Sequence, residues 1–397
     1  MAEGSSLPRL EDLPVGDERR RVLLRADFNV PLTNGVIDDD LRIVSARPTI
    51  DWLLEQGSAI VACSHLGRPK GVADPKLSLA PVAARLRELL DRPVTLAAGV
   101  VGPEVAAQAA ALKPGEVLLL ENLRFEPGET ENDPEFAKAL SALGDLYVDD
   151  AFGAVHRAHA SIVGPPAVLP CAAGRLLARE VDVLGGLLES PARPFVTILG
   201  GVKVSDKLGV IDALLERCDT LLIGGAMAFT FLVAQGHDVG DSLVEHEMVD
   251  RCKALLGSGR VIVPTDVVVA REMTADAQAR HVSASSIPAG WKGLDIGPET
   301  AGTFADEIDR AKTVLWNGPM GVFELAPFEA GTRTVAEAVA ECDGFTVIGG
   351  GDSASAVRHF GFADRIDHVS TGGGASLEFL EQGDLPGLRA LRAGVRR

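Results

Sequence analysis

The chain has 397 residues, 46% of them hydrophobic, with 43 Gly and 23 Pro, a globular composition that excludes collagen, coiled coil and wholesale disorder. With 56 acidic against 38 basic residues the formal net charge is −18, which argues against nucleic acid or an anionic membrane as a partner. Five scattered cysteines without a C-x-x-C pair exclude a zinc ribbon and fit reduced thiols.

The polar start MAEGSSLPRLEDLP lacks an apolar core region, and no apolar run reaches ~18 residues, so a cytoplasmic protein without a membrane span is expected. Short apolar runs then recur along the chain: Arg21–Arg25, Ala59–Cys63, Val117–Leu120 and Asp145–Val148 in the first half. The second half has Phe195–Leu199, Thr220–Ile223, Arg260–Val263, Thr313–Trp316, Phe345–Ile348 and His368–Ser370. They are mostly apolar rather than alternating, the pattern of strands covered on both faces. Helical stretches lie between them; Asp206–Arg217 places Leu208, Ile211, Leu214 and Leu215 on one side. The class is therefore α/β with parallel sheets. His281–Gly290 interrupts the rhythm and reads as a loop or hairpin excursion. A turn-rich stretch, Gly164–Gly174, precedes a helix-like Arg175–Ser190 and then Pro191–Pro194, which suits a connector between two domains.

Open parallel sheets bind ligands beyond the carboxyl ends of their strands. In the first half those ends carry Arg25, Asp27, Phe28 and Asn29 (RADFNVP), His65, Leu66, Gly67 and Arg68 (SHLGRP), Arg124 (ENLRF), and His156, Arg157 and His159 (AVHRAH). Arg42 lies between the first two runs. An acidic protein that gathers Arg and His at one sheet edge predicts a pocket for a small, multiply charged anion, because guanidinium matches phosphate and carboxylate oxygens. In the second half the strand ends carry glycine: Gly200–Gly201, Gly224–Gly225, Gly318 with Gly321, Gly349–Gly351 and Gly372–Gly374. Glycine admits a phosphate close to backbone N–H groups, and a helix start adds its dipole, so these ends read as a nucleotide site. Lys203 and Lys207, four apart, are expected on one face of a helix start. Asp352, after three glycines, suits Mg²⁺ or a helix cap. The P-loop motif G-x-x-x-x-G-K-[ST] and the dinucleotide motif G-x-G-x-x-G are both absent.

These motifs, extended by LLLENLRFEPGE, DDAFGAVHRAHAS, LGGVKVSDK, GGAMAFTFL, LWNGPMGVFE, GGGDSASAV and STGGGASLEFL, make the chain resemble the phosphoglycerate kinase family over nearly its whole length. The resemblance implies two Rossmann-like lobes with parallel sheets joined by a helical hinge. The expected bounds are 1–174 for a triose-phosphate lobe, 175–190 for the hinge helix, 191–370 for a nucleotide lobe, and 371–397 for a segment returning toward the first. It implies reversible, Mg²⁺-dependent phosphoryl transfer between 1,3-bisphosphoglycerate plus ADP and 3-phosphoglycerate plus ATP, by a cytoplasmic monomer. By motif, the triose residues would be Asp27, Phe28, Asn29, Arg42, His65, Leu66, Gly67, Arg68, Arg124 and Arg157, with His159 in support. Transfer would fall to Arg42, Lys203, Lys207 and Gly351. The nucleotide would meet Lys207, Gly293, Asn317, Glu324, Gly350, Gly351, Asp352 and Ser353, with Asp352 on the metal. A two-lobed dehydrogenase is disfavoured by the missing dinucleotide motif. A non-catalytic two-lobed metabolite-binding protein would need no Mg²⁺–phosphate constellation, and an assay of ATP formation from an acyl phosphate separates all three.

Overall fold

The computed structural model describes residues 6–15 and 20–394, and the chain divides into two compact units. The first runs through Asp182 and takes up the chain again from Asp384; the second spans Val183–Gly383. Each is built on a six-stranded parallel sheet.

In the first unit the strands lie in the order Val94–Leu96, Val117–Leu119, Ala59–Cys63, Arg21–Ala26, Leu146–Asp150, Cys171–Ala173. The chain leaves Arg21–Ala26 toward one side and later returns on the other. The crevice beyond the carboxyl ends of Arg21–Ala26 and Leu146–Asp150 is thus a topological switch point. Every residue of Ala59–Cys63 and Leu146–Asp150 is buried, as helices on both faces require. The Cys171–Ala173 strand lies in a stretch that its Pro and Gly content marks as turn. Three small residues suffice there because the strand is the last of the sheet, paired along its length to Tyr147–Asp149 and bridged on its other side at Ala173 by the Pro8–Arg9 backbone. The Asp150 carboxylate, at a strand end, accepts from the N–H groups of Leu176 and Leu177 at 2.9 and 3.1 Å and so caps the Arg175–Glu189 helix. The final helix, Pro386–Ala393, buries Leu388 and Leu391, and the Gly387 N–H donates to the Val155 carbonyl.

In the second unit the order is Val261–Ile262, Thr220–Ile223, Phe195–Leu199, Thr313–Asn317, Phe345–Gly349, His368–Val369, with the switch point between Phe195–Leu199 and Thr313–Asn317. A three-stranded antiparallel sheet, Arg280–Ser283 beside Asp266–Ala270 beside Lys292–Ile296, is added to it. Of the loop or hairpin expected over His281–Gly290, the start is the hairpin: it completes a strand antiparallel to Asp266–Ala270 whose side chains are largely exposed, so it carries no apolar signature. Asp266 caps the Pro298–Asp309 helix through the N–H groups of Glu299 and Thr300. A helix over Gly374–Gln382 packs against Leu208–Leu215 within this unit.

Candidate functional site

At the switch point of the first unit, Asp27 follows the end of its strand and is 6% exposed. Its Oδ2 accepts from Arg42 Nη1 at 2.6 Å, and its Oδ1 from the Asn29 N–H. Burial alone would raise the Asp27 carboxyl, but Arg42 first among its charged neighbours holds it below the usual range. Asn29 accepts from the Gly67 N–H at 2.8 Å, and the Gly67 carbonyl accepts from Arg124 Nη1 at 2.7 Å. The Phe28 N–H donates to Ser64, and Asn122 brackets Leu66 from both sides of its backbone. Asp27, Phe28, Asn29, Arg42, Leu66, Gly67 and Arg124 are thus tied into one surface by short-range bonds. Arg68 and Arg157 are exposed; the charge of Arg68 reaches Arg124 and that of Arg157 reaches His159.

The cluster carries unbalanced positive charge. The half-buried Arg124 guanidinium is pulled below its usual range by burial and by Arg25 and Arg68, against the attraction of Glu129 and Asp27, and its Nε is buried with no hydrogen-bond partner. Burial pushes His65 well below 6.5, helped by Arg25, Arg124 and Arg42 against the pull of Asp27. His159 is brought down to about 4 by burial, then by Arg124, Arg25 and Arg157. Such groups gain from an anion that restores their charge balance.

Arg25 departs from the expectation that each strand-end arginine faces a ligand. It is fully buried and donates to Ser161 Oγ, to the Ala26 carbonyl and to His65 Nδ1. Ser161 donates in turn to the buried Glu129. Glu129 and Ser161 stand inside FEPGE and RAHAS, yet nothing in either motif pairs them with Arg25, which comes from a strand more than a hundred residues away.

In the second unit, backbone bonds stitch three strand-end loops together: Gly200 N–H to Asn317, Gly201 N–H to Pro319, Gly225 N–H to Met320. Several of the glycines read as phosphate contacts serve this close packing. Gly225 has φ +65°, and a Cβ there would lie 2.4 Å from the Gly201 nitrogen; at Gly318, with φ +94°, it would lie 2.4 Å from the Gly200 oxygen. Lys207 Nζ donates to the Gly200 carbonyl at 2.7 Å and to Asn317 through both its carbonyl and Oδ1, at 3.1 and 2.5 Å. Burial lowers its ammonium to about 8 against the attraction of Asp352 and Asp206. Lys203 does not share a helix face with it. It is exposed and irregular, just ahead of the Ser205–Lys207 turn and the Leu208–Leu215 helix, and the start of that turn is marked by the Glu245 carboxylate, which accepts from the N–H groups of Val204 and Ser205.

Gly350 precedes the Gly351–His359 helix, whose first turn holds the exposed Asp352. A Cβ on Gly351 would meet nothing within 4 Å, so this helix start is open. Ser353 is buried, its hydroxyl accepting from the Gly318 N–H, and Asn317 Nδ2 donates to the Gly349 carbonyl. Both therefore shape the loops from within. A cavity of about 1020 Å³ opens beside these loops, lined by Gly201, Gly225, Phe229, Gly293, Leu294 and Met320 among others. Gly293 donates to Ser242 and leaves no room for a side chain against Phe229. Glu324 is exposed on a turn, two residues past the lining residue Val322. Asp295, also in the lining, is pushed up to about 8 by burial, against the N–H groups of Gly331 and Ile296.

Known proteins match the chain across both units. The family model for phosphoglycerate kinase matches residues 10–383. A phosphoglycerate kinase of Frankia alni is 58% identical over 397 residues, covering 96% of this chain and 99% of its own. One of Roseiflexus castenholzii is 55% identical over 379 residues, covering 94% and 96%. The solved structure of phosphoglycerate kinase from Coxiella burnetii superposes with a TM-score of 0.86 at 40% identity, over 97% of this chain and 99% of that one.

Proposed function

This chain belongs to the phosphoglycerate kinase family, and from that premise we propose which of its residues hold each substrate and how they act. The enzyme is a kinase of glycolysis that moves a phosphoryl group reversibly between 1,3-bisphosphoglycerate and ADP, giving 3-phosphoglycerate and ATP. The first unit holds the triose. Arg124, with its orphaned Nε, and the exposed Arg68 and Arg157 take its phosphate and carboxyl oxygens. Asp27 and Asn29 meet its hydroxyl, and neutral His65 donates a hydrogen bond. The backbone of Phe28, Leu66 and Gly67 forms the floor. The observation that carries this reading is the cationic cluster around Arg124, in which Arg25, Arg42, Arg68 and Arg124 outnumber Asp27 and Glu129 and the Arg124 Nε has no hydrogen-bond partner.

The second unit holds the nucleotide. The base enters the cavity past Gly293 against Phe229 and Leu294, and the ribose reaches Glu324. The phosphates meet Lys207 and the open helix start of Gly350, Gly351 and Asp352, with Asn317 and Ser353 as the supports that aim them. Asp352 suits Mg²⁺ that arrives with the nucleotide, since this ion takes one or two carboxylates plus substrate phosphates and water. Bound there, it would neutralise charge on the phosphates.

The acceptor in the direction of ATP use is a carboxylate, ionised at pH 7, so no general base is required. The chain contributes positioning and charge neutralisation by Arg42, Lys203, Lys207 and backbone N–H of Gly351. The reading extends to a cytoplasmic monomer with small-molecule partners only. Among the described residues no helix is long and apolar enough to cross a membrane. The direct test is ATP formation from 1,3-bisphosphoglycerate and Mg·ADP in a coupled assay; no turnover by folded protein would defeat the proposal.

Two expected results separate the half-sites. In NMR titrations, 3-phosphoglycerate shifts signals of the first unit and Mg·ADP those of the second; nucleotide shifts confined to the first unit would reverse the assignment. Nucleotide binding near pH 8.5 takes up protons, because a phosphate beside Lys207 raises an ammonium that burial holds at about 8. Titration calorimetry in two buffers of different ionisation enthalpy measures this. Identical heats in the two buffers would remove Lys207 from the phosphate site.

A further inference from the structure

We propose that Arg25 is a positioning residue, which through a buried chain of hydrogen bonds fixes His65 in the tautomer that carries its proton on Nε2. The direction of every bond in the chain is forced. A guanidinium has donors only, and Arg25 Nη2 lies 3.1 Å from His65 Nδ1. Nδ1 must then present its lone pair, and the proton of the neutral ring sits on Nε2. The rest of Arg25 cannot swing away. Its Nε donates to Ser161 Oγ at 2.9 Å, and Nη1 donates to the Ala26 carbonyl. The Ser161 hydroxyl spends its single proton on Glu129 Oε1 at 2.7 Å, while the Ser161 N–H donates to Glu129 Oε2 at 2.9 Å. Arg25, Ser161 and Glu129 are all fully buried, and His65 is 5% exposed, so water has little access to replace any link.

The charged groups around His65 are Asp27, Arg25, Arg124 and Arg42. With burial, the three arginines outweigh Asp27 and keep the ring neutral. The consequence rests on the triose reading above. There His65 can offer an anion an N–H donor and never a lone pair, and it does so without titrating across the neutral range. A carboxylate or phosphate oxygen is then accepted, and a neutral donor in its place is refused.

The test is long-range ¹H–¹⁵N correlation of the full-length protein with ¹⁵N-labelled histidine. The His65 signals, assigned by loss in His65→Gln, should show protonated Nε2 and bare Nδ1 from about pH 6 to about pH 8, without ligand. A proton on Nδ1, or titration near the ordinary histidine value of about 6.5, would overturn the inference. Arg25→Lys keeps a donor for Nδ1 and should keep the tautomer. Arg25→Met should leave the ring divided between tautomers and raise KM for 3-phosphoglycerate about tenfold, with kcat within about threefold. An unchanged tautomer in folded Arg25→Met sinks the proposal whatever KM does; if that variant does not fold, the parent and Arg25→Lys spectra decide. If the tautomer is as inferred but 3-phosphoglycerate leaves the His65 signals unmoved, the placing of the triose fails and the role of Arg25 stands.

Discussion

Replacing Arg42 by alanine should lower kcat by about 10²–10³-fold, the usual loss for one preorganised donor to charge that develops in the transition state. A transferring phosphoryl group is loosely held by donor and acceptor alike, and a guanidinium can meet it with aligned N–H groups. The structure adds a second effect. Arg42 is bonded to the buried Asp27 at 2.6 Å, so its loss leaves a bare carboxylate in an anion site. KM for 3-phosphoglycerate should then rise as well, by several-fold. Arg42→Lys should restore most of the KM, since the charge remains, but only part of kcat, since the fork is lost. There is also a stability signature. Arg42 holds the Asp27 carboxyl below its usual range against burial. A carboxyl lowered in the folded state contributes stability that is present above its unfolded pKa and lost as pH falls through the folded value. The deficit of Arg42→Ala should therefore be full at pH 7 and fade in acid. Steady-state kinetics and denaturant melts at two pH values read both; a kcat within about threefold of the parent would make Arg42 a structural ion-pair residue only.

The second large effect concerns a residue with no expected part in the chemistry. Glu129→Ala should destabilise the first unit by roughly 3–5 kcal/mol, the cost of leaving a buried charge uncompensated. The stranded charge is that of Arg25, whose guanidinium burial would lower but Glu129 first, then Cys63, Asp27 and Asp149, raise. Ser161 also loses the acceptor for both its N–H and its hydroxyl. Hydrogen exchange of the Arg21–Ala26 and Leu146–Asp150 strands reports this unit by itself, which matters because two units need not unfold in one transition. Replacing Arg25 and Glu129 together by methionine should recover much of the loss, since no lone charge is then buried. A change below about 1 kcal/mol in Glu129→Ala would show that the Arg25 charge is balanced elsewhere.

Class and chemistry were legible along the chain because both are written locally. Strands buried on both faces, such as Ala59–Cys63 and Phe195–Leu199, are apolar at all or nearly all positions, and strand ends announce themselves by the Arg, Asp or Gly that follows. RADFNVP, ENLRF and GGGDSASAV thus pointed to an anion and a nucleotide before any fold was known. What a side chain does at its strand end depends on partners far away in sequence, and only tertiary structure supplies those. Arg25 and Arg68 read alike, yet Arg25 is sealed inside by Ser161 and Glu129 while Arg68 is exposed. Lys203 and Lys207 stand four apart, yet Lys203 lies just ahead of the turn that Glu245 caps at Val204 and Ser205, while Asn317, 110 residues from Lys207, anchors the second. The glycines of the second unit divide in the same way: Gly225 and Gly318 admit neighbouring backbone, and Gly351 faces open space. Residue type sets what a group can donate, accept or admit; burial and the identity of the long-range neighbour decide whether it spends that capacity on the ligand or on the fold.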